Sequence, residues 1–461
     1  MKNFKFLFSL LLSATFLFVL SACSDDDDDN MPVEEDSIYE LARNNPNLSI
    51  LADLLEQNPD LQQLLSTDGD YTVFAPTNAA FADLLNVIGQ SSAADVPNDV
   101  IRRILLYHVI GGARVASSQI TDGLTAETAL SASDIVTFSV SGGTVSVNDA
   151  TVTTADVSAS NGIVHVVDAV LVPELELSIV NTVVEPAYFN VNFSILTEAV
   201  VTADLLGTLT DPAANITLFA PDNAAFEAAG IASLEEYTAD DLTSILTYHV
   251  LGSEVFAADL PSTEGGFATS VETLNGDFFL TNNSNGVFIN GNSQVVATDI
   301  DQDNGVVHVI NRTLTPASAD IVGVAVAAGF NSLAAALTEA GLVDAVSDPN
   351  GPFTVFAPTD AAFDALYTTL GVAGPEEVDD ATLDAVLKYH VLQGRVFSSD
   401  LFDGIEPTTL QGGSFTINVG ETVTITDNEP DIEDATVTGT DVLATNGVIH
   451  IVDGVLLPVD L

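Results

Sequence analysis

The 461-residue chain contains no tryptophan, one cysteine and two methionines, and nine lysines and arginines stand against 66 aspartates and glutamates. Each scarcity excludes something. A single cysteine rules out an internal disulfide framework, so the chain must fold on its hydrophobic cores alone. With no tryptophan and eight tyrosines, stacking platforms for sugar rings are scarce. A formal charge of −57 repels phosphate backbones, which excludes nucleic acid as a partner and disfavours anionic lipid head groups. Such a surface also repels other copies of itself, a property suited to a salty medium that screens the charge. Nucleophile motifs are missing as well: the sequence has no Gly-x-Ser-x-Gly elbow.

What the chain does have begins with an address. Lys2 and Lys5 precede an apolar run over residues 6–20 and small residues just before Cys23, the pattern of a signal peptide over residues 1–22. The segment resembles a bacterial lipobox, which implies a lipid on Cys23 and a membrane partner through that lipid. Five aspartates begin at Asp25, so residues 23–35 read as an acidic tether. The expected location is the outer membrane, facing the cell exterior.

Three blocks of sequence then recur in order. The first is Thr72-Val73-Phe74-Ala75-Pro76-Thr77-Asn78-Ala79-Ala80-Phe81, which returns from Thr217 to Phe226 and from Thr354 to Phe363. The second is Tyr107-His108-Val109, repeated at Tyr248-His249 and Tyr389-His390 with a spacing of 141 residues each time. The third runs from Asn161-Gly162 through His165 to Pro173, and recurs around His308 and His450. A period near 140 residues is too long for a solenoid unit, so each repeat is a whole domain. The closing prolines divide the chain into domains at 36–174, 175–317 and 318–461.

Locally, Thr72-Val73-Phe74 reads as a strand stopped by Pro76, with Asn78 capping the helix that follows. Ile101, Ile104, Leu105 and His108 fall at helical spacing and predict a helix over residues 100–108. Residues 150–157 and 162–171 predict paired strands, with Asn161-Gly162 as a turn between them. Alternating runs such as Val145-Ser146-Val147 predict half-exposed antiparallel strands. Helices segregated from a mainly antiparallel sheet make an α+β domain.

The three blocks resemble the signatures of the fasciclin family, in order and three times over nearly the whole chain. The resemblance implies three tandem fasciclin-like domains, each a mainly antiparallel β-sandwich or wedge with packed helices. It implies extracellular adhesion and matrix interaction rather than catalysis. The middle copy departs most: Asn311-Arg312 stands where the others have Asp168-Ala169 and Asp453-Gly454, and its entry helix carries Pro186.

All six histidines belong to the repeated blocks: His108, His249 and His390 after Tyr107, Tyr248 and Tyr389, and His165, His308 and His450 in the last strand. One reading makes each pair a metal or acid–base site; the favoured one makes them core residues bonded internally. Calcium is weighed at Asp299, Asp301 and Asp303, although Asn304 and Ile310 break the loop pattern. The run Asp427, Glu429, Asp431, Glu433, Asp434 is similar, and loose calcium bridging by the acidic surface is the more plausible form. Arg102, Arg103 and Arg114 either mark a contact surface or neutralise neighbouring acids, and neutralisation is the favoured reading. The expectation is a non-catalytic, cofactor-free adhesion protein for extracellular protein or polysaccharide ligands, including biofilm matrix. The alternatives are a surface glycan-binding accessory protein for polymer uptake and a carrier of an apolar ligand.

Overall fold

The computed structural model describes residues 35–263, 267–347, 351–427 and 434–458, and one frame is built three times across them. In the first domain it opens with helices α1 (Ile38–Asn44), α2 (Ser49–Glu56) and α3 (Pro59–Ser66). Ser37 starts α1 with a capping box: its hydroxyl accepts the Glu40 amide, and the Glu40 carboxylate accepts the Ser37 amide. Strand β1 (Tyr71–Pro76) follows, then helices α4 (Asn78–Val87) and α5 (Asn98–Tyr107). The remaining strands are β2 (Val109–Gly111), β3 (Thr125–Glu127), β4 (Ile135–Ser141), β5 (Thr144–Val147), β6 (Ala150–Ala159) and β7 (Gly162–Val167).

The sheet order is β2-β1-β7-β6-β5-β4-β3, and every pairing is antiparallel except β1 with β7. The second domain repeats that order, with Ile216–Pro221 parallel to Gly305–Ile310. The third has six strands, and Phe353–Pro358 runs parallel to Gly447–Val452. The mainly antiparallel expectation therefore acquires one parallel pair per domain. That pair is buried on both faces, as parallel strands usually are.

Two details of the first block differ from the sequence-based expectation. Thr77, not Asn78, caps α4: its hydroxyl accepts the Ala80 amide, as Asp222 and Thr359 do for Ala225 and Ala362. Asn78 is spent across the domain, accepting the Ile50 amide at 3.0 Å and donating to the Pro46 carbonyl. Asn223 and Asp360 accept the Ile195 and Ser332 amides in the same way.

Each sheet covers two apolar layers. Under the β3–β5 strands of the first domain lie Phe74, Val136, Phe138 and Val147, all at or below 1 % exposure. On the helical side lie Leu51, Leu55, Val73 and Ile104. This helical core does not stop at the first domain. It runs through helix α6 (Glu174–Ile179) into Val183, Tyr188, Leu196 and Phe226 of the second, whereas the third domain keeps a helical core of its own.

Candidate functional site: the histidine brackets and the domain joints

The Tyr-His pair sits where α5 ends. His108 is the residue after the last helical turn; its Nδ1–H donates to the Ile104 carbonyl at 2.7 Å and its Nε2 accepts the Leu171 amide at 2.9 Å. His249 spans Ile245 and Leu314 in the same way, and His390 spans Val386 and Leu456. Both nitrogens are thus spent on backbone, and the acceptor role of Nε2 requires a neutral ring. Burial in the apolar interior pushes all three down to about 4, against partial support from the carbonyl. The preceding tyrosine pins the hairpin strands: Tyr107, Tyr248 and Tyr389 donate to the carbonyls of Ile135, Asp277 and Ser414. Burial pushes the Tyr389 phenol up to about 12.

The second histidine stands opposite the phenylalanine of β1. His165 lies in register with Phe74 and stacks on it at 5.7 Å; His308 and His450 pair with Phe219 and Phe356 at 5.3 Å. Nε2–H donates to the carbonyl of Val115, Val255 or Val396. Nδ1 accepts the amide of Asp156, Asp299 or Asp441 at 3.2–3.4 Å. Those aspartates occupy a bulge in the long strand and have φ of 57°, 60° and 61°, a left-handed conformation short polar residues tolerate.

The bulge aspartate closes a further tie. Its carboxylate accepts the amide of Ser117, Ala257 or Ser398 at the start of a short 3-10 turn. Asp299 is therefore the second domain's copy of a repeated backbone bracket. Asp301 lies on the same strand paired with Val306, and Asp303 follows in the turn, its amide bonded to the Asn181 carbonyl. Among the described residues no three His, Cys, Asp or Glu side chains converge on a metal position. In the third domain Asp427 accepts the Leu457 amide and Asp434 the Thr426 hydroxyl. Glu429, Asp431 and Glu433 lie outside the described residues, as does Cys23.

Two bracket residues carried no signal in one copy's sequence. Thr72, wholly buried, donates to the Ala113 carbonyl and accepts the Val115 amide; Thr217 and Thr354 repeat this. Asn161, expected in a turn, is 1 % exposed; it accepts the Ile38 amide and donates to Leu65 and Thr67 carbonyls. The recurrence of Thr and Asn at fixed places in three blocks was the only available clue. Asn311 also proves equivalent to the aspartates it replaces: it accepts the Gln294 amide as Asp168 accepts that of Thr151.

The three arginines divide. Arg102 and Arg114 make exposed pairs with Asp60 and Asp70. Arg103 instead reaches into the joint between the first two domains, where its Nε donates at 2.5 Å to Glu176, a wholly buried carboxylate on α6. That bond holds the guanidinium above its ordinary range. The joint between the second and third domains is mixed: Thr281 donates to Asp400 at 2.8 Å and Asn283 to the Ser399 carbonyl, and the Phe279 and Phe397 rings pack at 5.8 Å. Arg395 lies 4.1 Å over the Phe279 ring. Burial raises the Asp400 carboxyl.

Two enclosed apolar cavities border His108 and His390, each of about 20 Å³, room for one water-sized body. A pigment-sized ligand does not fit in them. Among the described residues no helix is long and apolar enough to cross a membrane.

Comparison with known proteins places these features. The family model for the fasciclin domain matches residues 46–173, 191–316 and 328–458. The chain is 28 % identical over 406 residues to the pig transforming growth factor-beta-induced protein ig-h3, covering 86 % of this chain and 54 % of that protein. Human periostin is 27 % identical over 406 residues, 87 % of this chain and 45 % of periostin, so the chain spans about half the length of these two relatives. Protein sll1483 of Synechocystis is 41 % identical over 139 residues, 30 % of this chain and 74 % of that protein. A solved fasciclin domain pair from the insect cell adhesion molecule Fasciclin I covers 57 % of this chain and 92 % of its own, with 18 % identity and a TM-score of 0.29.

Proposed function

Because the chain belongs to the fasciclin family, as three tandem fasciclin domains, we propose that it is a non-catalytic surface protein for adhesion to extracellular matrix or biofilm. The observation that carries this reading is the fate of the six histidines. Both ring nitrogens of every one are spent on backbone groups, so the residues that identify the repeats hold the fold together. Function then falls to the surfaces of the domains and their joints, the arrangement of a binding protein. The family's usual role, extracellular adhesion and matrix interaction, supports the same reading. Three domains in series add weak contacts as avidity, and contacts of this kind need no cofactor.

The proposal includes export, cleavage before Cys23, acylation of that cysteine, and display on the outer membrane. The acidic tether then spaces the domains from the bilayer. Extracellular protein or polysaccharide is the proposed partner class, with calcium acting as a loose bridge between acidic surfaces. The experiment is a clean deletion, with complementation by the wild-type chain and by Cys23→Ser. Attachment and biofilm mass fall on deletion and return only with the acylated form. Unchanged attachment in the deletion strain overturns the adhesion reading, and full rescue by C23S overturns the anchor.

A further inference from the structure

The joint between the second and third domains encloses a cleft of about 440 Å³, within the size range of small-molecule sites, roughly 300–1,000 Å³. Unlike most such sites its wall is polar, with Asn292, Arg312, Thr313, Thr315, Ser318 and Thr440 among its lining residues. Arg312 stands out by its lack of employment. Seven basic residues lie beyond Lys5. Four are in ion pairs, Arg395 lies on Phe279, and Arg43 sits in the last turn of α1. Arg312 has no ion-pair partner among the described residues, although Asp441 lines the same cleft. Asp441 is already taken, its carboxylate accepting both the amide and the hydroxyl of Ser398.

The second observation is beside it. Thr313 is 3 % exposed, and its Oγ1 is buried with no hydrogen-bond partner. A buried hydroxyl without a partner is costly, and native structures keep few of them. The first and third domains avoid the cost, with Ala169-Val170 and Gly454-Val455 where the second has Arg312-Thr313. The second domain thus replaces two apolar or small residues with an arginine that has no ion-pair partner among the described residues and a threonine whose buried hydroxyl is unsatisfied, both residues lining one cleft.

We propose that this cleft binds an acidic saccharide unit, with Arg312 taking its carboxylate or sulfate group and the hydroxyl and amide side chains reading its ring hydroxyls. Guanidinium matches both anions through paired N–H donors. Sugar hydroxyls donate and accept, as Thr313, Thr315, Ser318, Thr440 and Asn292 do. Recognition is by hydrogen bonds, so the scarcity of stacking aromatics does not oppose it. The chain's charge of −57 sets a further condition: the ligand carries isolated anionic groups, because a dense polyanion is repelled before it arrives.

This assignment deepens the adhesion reading and rests on it for its biological setting, but binding and attachment are measured separately. Titration calorimetry of the full chain uses four probes at 0.15 M NaCl. These are a glucuronate-bearing oligosaccharide, a singly sulfated one, their neutral parent and a glutamate-rich peptide. One or both acidic sugars bind at least tenfold more tightly than the neutral sugar and the peptide, and which of the two is tighter identifies the anion. Arg312→Ala weakens that binding tenfold or more, Arg312→Lys restores part of it, and Thr313→Val weakens it several-fold. Arg312→Ala and Thr313→Val restore the side chains of Ala169 and Val170 in the first copy, so the fold tolerates them. Equal binding of neutral and acidic sugars, preference for the peptide, or binding unaffected by R312A overturns the site. Attachment that survives R312A while sugar binding is lost overturns the site's part in adhesion and leaves the site itself standing.

Discussion

At His108 each ring nitrogen has a fixed partner, and only the neutral ring with its proton on Nδ1 satisfies both. The same holds at His249 and His390, and burial holds all three near 4 against an ordinary value of 6.5. The folded value lies below the unfolded one, so the unfolded chain takes up protons first as pH falls. Stability from these groups is complete above pH 6.5 and is lost on the way down to about pH 4. Between pH 7 and pH 5 each bracket should lose roughly 2 kcal/mol, at about 1.4 kcal/mol per unit. Urea midpoints measured across that interval should fall steadily; a flat profile would contradict the bracket chemistry.

At the scale of the element, the Asn-Gly pair joins the helical entry to the sheet. Asn161 ties the start of α1 to the end of α3, while Gly162 lets β7 approach β1. A Cβ on Gly162 would lie 2.3 Å from the Tyr71 carbonyl oxygen, and Gly305 and Gly447 face Ile216 and Phe353 as closely. Backbone cannot yield there as a flexible side chain would. Gly162→Ala should therefore cost about 2–4 kcal/mol of the stability of the unit formed by the first two domains, read from urea unfolding. Gly111→Ala, where a Cβ meets open space, should stay within about 0.5 kcal/mol. The sequence made the elements readable because their apolar spacing is local: α5 runs from Asn98 to Tyr107 close to its expected span. What it concealed were ties made across distance. Asn78 and Asn161 carry turn and cap chemistry in isolation, yet their amides serve partners 28 and 123 residues away. Asp156 showed nothing, since a bulge with positive φ leaves no periodic trace. Arg103 looks like a neutraliser in the sequence because its partner Glu176 lies 73 residues on, beyond any helical spacing. Arg312 departs visibly from the other two copies, but the cleft it lines is made by two domains.

Across the whole molecule the two joints are unlike. The first is an apolar core shared by two domains and locked by Arg103 on a carboxylate with no exposure. The second is made of hydrogen bonds from Thr281 and Asn283, one ring–cation contact and one ring pair, Phe279 with Phe397 at 5.8 Å. Apolar area scales with cooperative stability, and a few hydrogen bonds with one ring pair contribute less than a core shared by two domains. Calorimetry of the full chain should show two transitions, the first two domains melting as a unit and the third alone. Arg103→Ala strands Glu176 in the core and should lower only the paired transition, by about 3–5 kcal/mol. Three transitions of equal independence would refute the shared core.

The locked carboxylate also governs how such an array can grow. Glu176 depends on an arginine from the preceding domain, so a copy inserted between the first and second would leave it without a counter-ion. The third domain meets the chain through a few hydrogen bonds and the Phe279–Phe397 ring pair, with no ion pair across that joint among the described residues. A splice of this chain should therefore carry the first two domains together, and a cut at the second joint costs only the contacts of Thr281, Asn283 and Phe279.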